Sequence, residues 1–219
     1  SVTSKMKPQK STQNSYPSPE RLSFPFDEGK NAWLPMLLDT YFFADKGVYE
    51  GIRRQIAKKR TLACDKGCSH CCRSHTTIPV YPLEVIGVYW YCIEKLESKQ
   101  KKRLIEPLRN HVKGDACPFL YLGNCLIHPM RFLACRHFNV FDTVCTEGED
   151  AFYTRREDVL TPIKKYQDEA LSKMLPFHDI KSKVQRREAI KSGWIHQHAQ
   201  VLQEIDWPKL ADRIAAVVG

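Results

Sequence analysis

The sequence predicts a mainly α fold, a helical domain that carries two irregular cysteine-rich loops. Three observations predict it. Apolar residues recur at helical spacing through most of the chain. No internal repeat and no alternation of strand and helix patterns is present. The cysteines concentrate in two short blocks without periodicity, Cys64, Cys68, Cys71 and Cys72 in the first and Cys117, Cys125 and Cys135 in the second.

Residues 1–27 are rich in Ser, Pro, Lys and Gln and read as an extended N-terminal arm, with Phe24 and Phe26 available to pack on the body. Residues 28–219 read as a single helical domain with a cysteine-cluster core over 62–145. From 33 to 60, Leu34, Leu37, Leu38, Tyr41, Phe42, Val48, Ile52 and Ile56 form an apolar stripe. Gly47 and Gly51 weaken its middle, so the segment is one kinked helix or two. The first cysteine block follows directly, over 62–78.

Pro82 suits the first turn of a helix over 82–96, with Leu83, Ile86, Tyr89, Trp90, Ile93 and Leu96 on one face. Ser98 is a candidate N-cap for the next helix, which carries Leu104, Ile105, Leu108 and Val112. The second block, 116–145, turns at Gly123-Asn124. Helices over 162–175 and 184–205 complete the frame, and a short one follows Trp207-Pro208.

At 219 residues the chain is long enough for one sizeable core. It contains no apolar run that would make a transmembrane helix and no apolar signal-peptide core at its start. A cytoplasmic location is therefore expected, where clustered thiols are more often ligands than disulfides. The formal net charge is +9, which permits attraction to nucleic acid or another anion. However, the basic runs at 53–54, 58–60, 99–103 and 181–187 alternate with apolar positions on predicted helices, the pattern of solvated faces. No basic motif interleaved with aromatics supports RNA binding.

Thiolates at short spacing are the donors of zinc and iron–sulfur sites. The first block has the order C-x3-C-x2-C-C, in which spacers of two or three residues let one loop wrap a metal. The second has wider gaps and must be folded before it chelates. Neighbouring side chains in extended backbone point to opposite sides, so Cys71 and Cys72 are awkward as joint ligands of one ion. Seven thiolates also exceed the four that one zinc or one cubane cluster takes. Iron–sulfur is favoured over zinc, partly because Cys117-Pro118 is similar to the end of ferredoxin ligand runs. The C-x3-C-x2-C portion is similar to the motif of radical SAM enzymes, although the helical remainder of the chain does not read as a barrel.

Cys145 is either an eighth thiolate or a free buried cysteine, and Cys92 reads as packing within its helix. His70 and His137 sit inside the blocks, where orienting a thiolate is a better role than ligation. Arg131 and Arg136 flank Cys135 and would offset thiolate charge. His196 and His198 lie two apart in a helical pattern and face away from each other.

The two blocks together resemble the family of zinc- or iron-chelating domain proteins of the YkgJ type. The first block matches its signature. The second, Cys117-Pro118-Phe119-Leu120, then Cys125-Leu126-Ile127, Arg131 and Cys135-Arg136, matches its C-P-F-L…C-x-I-Y-x-x-R-P-x-x-C-R pattern, with His128 in place of Tyr and Phe132 in place of Pro. The resemblance implies metal binding by Cys64, Cys68, Cys71, Cys72, Cys117, Cys125 and Cys135. A bacterial flagellin lysine methylase carries a similar cluster, which makes methyl transfer one functional alternative. The others are a redox or electron-transfer metal protein and a zinc-stapled module that binds an anionic partner. Sequence names no partner, protein or small molecule, beyond these classes.

Overall fold

The structure, a computed structural model, describes residues 16–218 and is mainly helical. Residues 1–15 of the expected arm lie outside the described residues. The remainder of the arm has no regular structure up to Phe24. Helix α1 follows at Pro25–Lys30, started by a proline whose missing N–H costs nothing in a first turn. Phe24 packs edge-on against Trp90 with ring centroids 5.1 Å apart, whereas Phe26 is exposed. Arg21 bridges Glu28 and Asp39, both at 2.7 Å, and ties this segment to the next helix.

Helix α2, Trp33–Ala57, is continuous through Gly47 and Gly51. These glycines do not divide it; they make room. A Cβ on Gly47 would lie 2.7 Å from Tyr166 Cβ, and one on Gly51 would lie 2.8 Å from Leu160 Cδ1. Helix α8, Lys164–Met174, packs against α2 at Gly47, and Leu160, just before it, packs at Gly51, so the glycines exchange helix propensity for close approach.

Helix α3, His70–Ser74, and strand β1, Pro79–Val80, lead into α4, Pro82–Trp90. The expected 82–96 helix changes pitch at Tyr91–Lys95, a π-helical turn that holds Cys92 fully buried. Helix α5 spans Ser98–Arg109, and its N-cap is Glu97 rather than Ser98. The second cysteine block contains a small hairpin, β2 (Leu120–Tyr121) with β3 (Asn124–Cys125), and helix α6, Leu133–His137. Helix α7, Ala151–Thr154, precedes α8.

The expected helix over 184–205 is broken. Helix α9 covers Lys183–Ser192 and stops where Gly193 takes a left-handed conformation (φ 69°), as helix C-termini commonly do. A 3₁₀ turn at Trp194–His198 and strand β4, Gln200–Val201, follow, and β4 pairs antiparallel with β1. His196 therefore lies outside an α-helix, with Nδ1 2.7 Å from the Tyr81 hydroxyl, and the His198 ring stacks on His178. Helix α10, Pro208–Val218, closes the described chain.

Two cores result. Helices α2, α4, α8 and α9 share one, through Leu34, Leu37, Leu83, Leu171 and Met174 among others. Helices α4, α5 and α10 share the second with Phe119, Ile127, Phe132 and Trp207. Among the described residues no helix is long and apolar enough to cross a membrane.

Candidate metal centre

The first block is anchored at both ends. Arg60, just past α2, makes ion pairs with Asp142 at 2.7 Å and with Asp158. Leu62 then bridges to Phe141, and Ala63 donates its N–H to the Val140 carbonyl at 2.8 Å. Val140 returns its own N–H to the Cys64 sulfur at 3.2 Å. A turn through Gly67 leaves Cys68 exposed. Cys71 and Cys72 sit on α3, so the expectation of extended backbone at this pair does not hold. Successive helical side chains are about 100° apart rather than opposed.

The second block meets the first through the backbone. Cys117 donates its N–H to the Cys72 carbonyl at 3.1 Å. Phe119, fully buried, fixes the next turn against Trp207, with ring centroids 4.8 Å apart. The hairpin turn runs through Leu122 and Gly123 with positive φ and presents Cys125. Phe132, in the position where the family pattern has proline, is buried beside Phe119.

Helix α6 carries Cys135 and is fixed from below. Glu84, fully buried, accepts the Leu133 N–H at 2.7 Å on one carboxylate oxygen and the Tyr81 N–H at 3.0 Å on the other. Burial pushes its carboxyl up to about 7, against the downward pull of those two N–H donors. Arg136, 3% exposed, donates to Asp45 at 2.8 Å, to the Arg131 carbonyl at 2.8 Å and to the Pro129 carbonyl at 2.7 Å. Its guanidinium also lies 3.9 Å from the centre of the Tyr41 ring. Arg136 is thus a buried clamp between α2 and the second block rather than a surface cation. Arg131 reaches the His128 carbonyl at 3.1 Å.

All nine cysteines are free thiols. Burial raises the Cys64 thiol to about 11, although the Val140 N–H favours its thiolate. Cys71 is raised far above the ordinary thiol range, first by its hydrogen bond with the Cys72 thiol and then by burial. Burial, followed by the nearby Cys135, raises Cys117; burial, followed by Cys71 and Cys125, raises Cys135. Burial also raises Cys125, while the Ile127 N–H and Arg131 pull it down. Cys71 is close enough to act on Cys64, Cys117, Cys125 and Cys135, so it is the common neighbour of both blocks.

The arrangement is a neighbourhood of sulfurs rather than a closed shell. Among the described residues no three or more His, Cys, Asp or Glu side chains are placed to hold one ion as they stand. The donor set nevertheless fits a soft metal. Buried thiols without a compensating cation stay protonated, and a bound cation supplies the charge that lets them ionise.

Cys145 sits at the Cys64 end, within electrostatic range of both Cys64 and Cys68. Arg155 Nη2 lies 3.6 Å from its sulfur, and Arg155 in turn pairs with Glu149 at 2.7 Å. Cys64 and Cys145 pack on a small cluster of Val140, Ala151 and Val159, whereas Cys117, Cys125 and Cys135 pack on the α4–α5–α10 core. His70 lies on α3 beside Cys71. Burial lowers the proton affinity of His137, which suits a neutral ring behind Cys135. Cys92 is packing, as expected from its helix position, although it approaches Cys125.

Sequence reasoning missed Glu84 and Asp45. The signal for Glu84 was a glutamate at the third position of a proline-initiated helix, where it closes a capping box on Tyr81. Asp45 carries no local signal, since its partner Arg136 lies 91 positions away in sequence.

Residues 63–160 match the model of the CxxCxxCC family, described as "Putative zinc- or iron-chelating domain". No curated protein and no solved structure matches the chain.

Proposed function

We propose, from the match of residues 63–160 to a zinc- or iron-chelating domain, that this protein holds an iron–sulfur cluster or zinc through Cys64, Cys68, Cys71, Cys72, Cys117, Cys125 and Cys135. The observation that carries this reading is the backbone hydrogen bond from Cys117 to Cys72, which sets the two blocks side by side around Cys71. Iron–sulfur is favoured because Cys117-Pro118 resembles the end of ferredoxin ligand runs, and because the second block is sunk against an aromatic core.

An iron–sulfur cluster would supply one-electron redox chemistry, and zinc would supply a structural staple. The chain's own residues do the positioning. Glu84 and Arg136 fix the helix of Cys135, Arg131 offsets thiolate charge, and Phe119, Phe132 and Trp207 exclude water on the core side. The test is metal analysis with a visible spectrum on anaerobically purified protein. Iron with sulfide and visible absorbance supports the cluster, and colourless protein with stoichiometric zinc supports the staple.

A second reading, a metal-stapled module for an anionic partner, is favoured by one surface. A groove between α8 and α9 is lined by Lys165, Lys183, Arg186, Arg187 and Lys191, for which no ion pair occurs among the described residues. Lys164 and Lys173 line it too, paired with Asp168 and Glu169. Salt-sensitive binding of a duplex oligonucleotide, lost on Lys183→Glu with Arg187→Glu, would support this reading.

A further inference from the structure

We propose that a cavity beside the cysteine cluster binds a small organic cation, an amine or ammonium with apolar substituents. The cavity encloses about 410 Å³, within the range of small-molecule sites. Its inner wall includes Cys71 and Cys135, one from each cysteine block. The part of the inference that sets the guest beside a metal rests on the function proposed above; binding in the cavity does not.

The walls select the guest. Ile78, Pro79 and Pro162 make them apolar, and Phe138, Phe152 and Tyr153 make them aromatic. Among the described residues the one carboxylate is Asp150, and no lysine or arginine lines the space. Asp150 is held in place: one of its oxygens accepts the Phe152 N–H at 3.0 Å and lies 3.2 Å from His75 Nε2. His75 is itself braced edge-on against Phe138, with ring centroids 4.5 Å apart. A carboxylate fixed among aromatic rings is the combination that attracts a weakly hydrated organic cation, because ring faces and carboxylate both present negative potential.

The mouth of the cavity fits the same guest. Phe152 and Tyr153 are 46% and 78% exposed, with rings edge-to-face at 5.2 Å. Both belong to α7, a four-residue helix that the Asp150 side chain caps. Two arginines follow α7 in sequence, outside the lining. Arg155 pairs with Glu149 and Asp158, and Arg156 lies over Phe152 at 5.0 Å while donating to the Val159 carbonyl and the Thr161 hydroxyl. Neither arginine belongs to the lining, so the carboxylate that a guest meets at the wall is Asp150.

The test uses the full chain as purified with its metal and three probes: benzyltrimethylammonium, its neutral isostere neopentylbenzene, and phenylacetate. Binding is read by titration calorimetry and by amide chemical shifts. The cation should bind about tenfold tighter than either other probe, with shifts centred on residues 150–153. Asp150→Asn keeps the helix cap and should lower cation affinity about tenfold while leaving the neutral probe unchanged. Tyr153→Ala, at an exposed position, should weaken the cation with metal content unaltered. Equal affinity for the three probes, shifts elsewhere on the protein, or indifference to both substitutions would overturn the proposal. Cation binding in a preparation that proves to hold no metal would overturn the metal reading and leave the cavity reading standing.

Discussion

Cys117 gives its backbone N–H to the carbonyl of Cys72 at 3.1 Å, across 45 positions of sequence. One hydrogen bond thereby joins the two cysteine blocks at a residue that belongs to each. The Cys71 thiol is held protonated first by its hydrogen bond with the Cys72 thiol and then by burial, and the Cys117 thiol by burial, until a cation enters. The consequences can be separated by substitution.

Cys71→Ser and Cys135→Ser should lower metal content and thermal midpoint together, because metal–thiolate binding energy becomes folding energy. Cys92→Ser places a hydroxyl in a fully buried π-turn and should cost about 1–3 kcal/mol without loss of metal. Metal analysis and thermal melts on the three variants check this. Metal loss confined to Cys92→Ser would show that the ligands are misassigned.

Arg136→Ala removes a clamp that reaches Asp45 and two carbonyls of the second block. The cost should be about 3–5 kcal/mol, since the partners are left behind without their cation. Denaturant unfolding measures it. Arg136→Lys should rescue only part, because an ammonium cannot span three acceptors in the plane of a guanidinium. A loss below 1 kcal/mol for the alanine variant would mean that α6 is fixed by something else.

Glu84 gives a pH signature. At pH well below 4.5 its carboxyl is protonated in folded and unfolded chains alike. Between 4.5 and about 7 only the unfolded chain ionises it, so stability falls as pH rises, by roughly 3 kcal/mol over the window, and is level above it. Glu84→Gln should abolish this slope. The difference between wild type and variant, followed by urea unfolding from pH 4 to 8, cancels the thiol titrations common to both. A difference that grows in favour of wild type with rising pH would contradict the burial account.

Gly47→Ala tests the crossing of α2 and α8. Alanine improves helix propensity by about 1 kcal/mol, yet its Cβ would sit 2.7 Å from Tyr166 Cβ. The clash should win, with a net loss of about 1–3 kcal/mol in thermal or chemical unfolding. A stabilised variant would show that the helices move apart freely.

Much of the frame was legible in sequence because amphipathic periodicity reports which face of a helix is buried. The stripe from Leu34 to Ile56 and the turn at Pro82 are of this kind. Gly47 and Gly51 misled because their role lies in contacts with Tyr166 and Leu160, more than 100 residues away. The helix over 184–205 failed at Gly193, where an isolated glycine inside a periodic pattern proved to be a C-cap. The cysteine blocks stand out in sequence because thiols at short spacing have few other uses. The surroundings of Cys64 and Cys145 were not, since they depend on residues 60–64 pairing with 140–142, a long-range match with no local pattern. The cavity by Asp150 was equally hidden, because α7 is too short to show periodicity.

The most direct test of the central claim is the metal-to-protein ratio of the anaerobically purified chain, measured beside its Cys71→Ser variant. Cys71 acts electrostatically on Cys64, Cys117, Cys125 and Cys135. The account predicts at least one equivalent of iron or zinc in the wild type and a loss of most of it in the variant. Wild-type protein without metal, or a variant that retains the full complement, would contradict it.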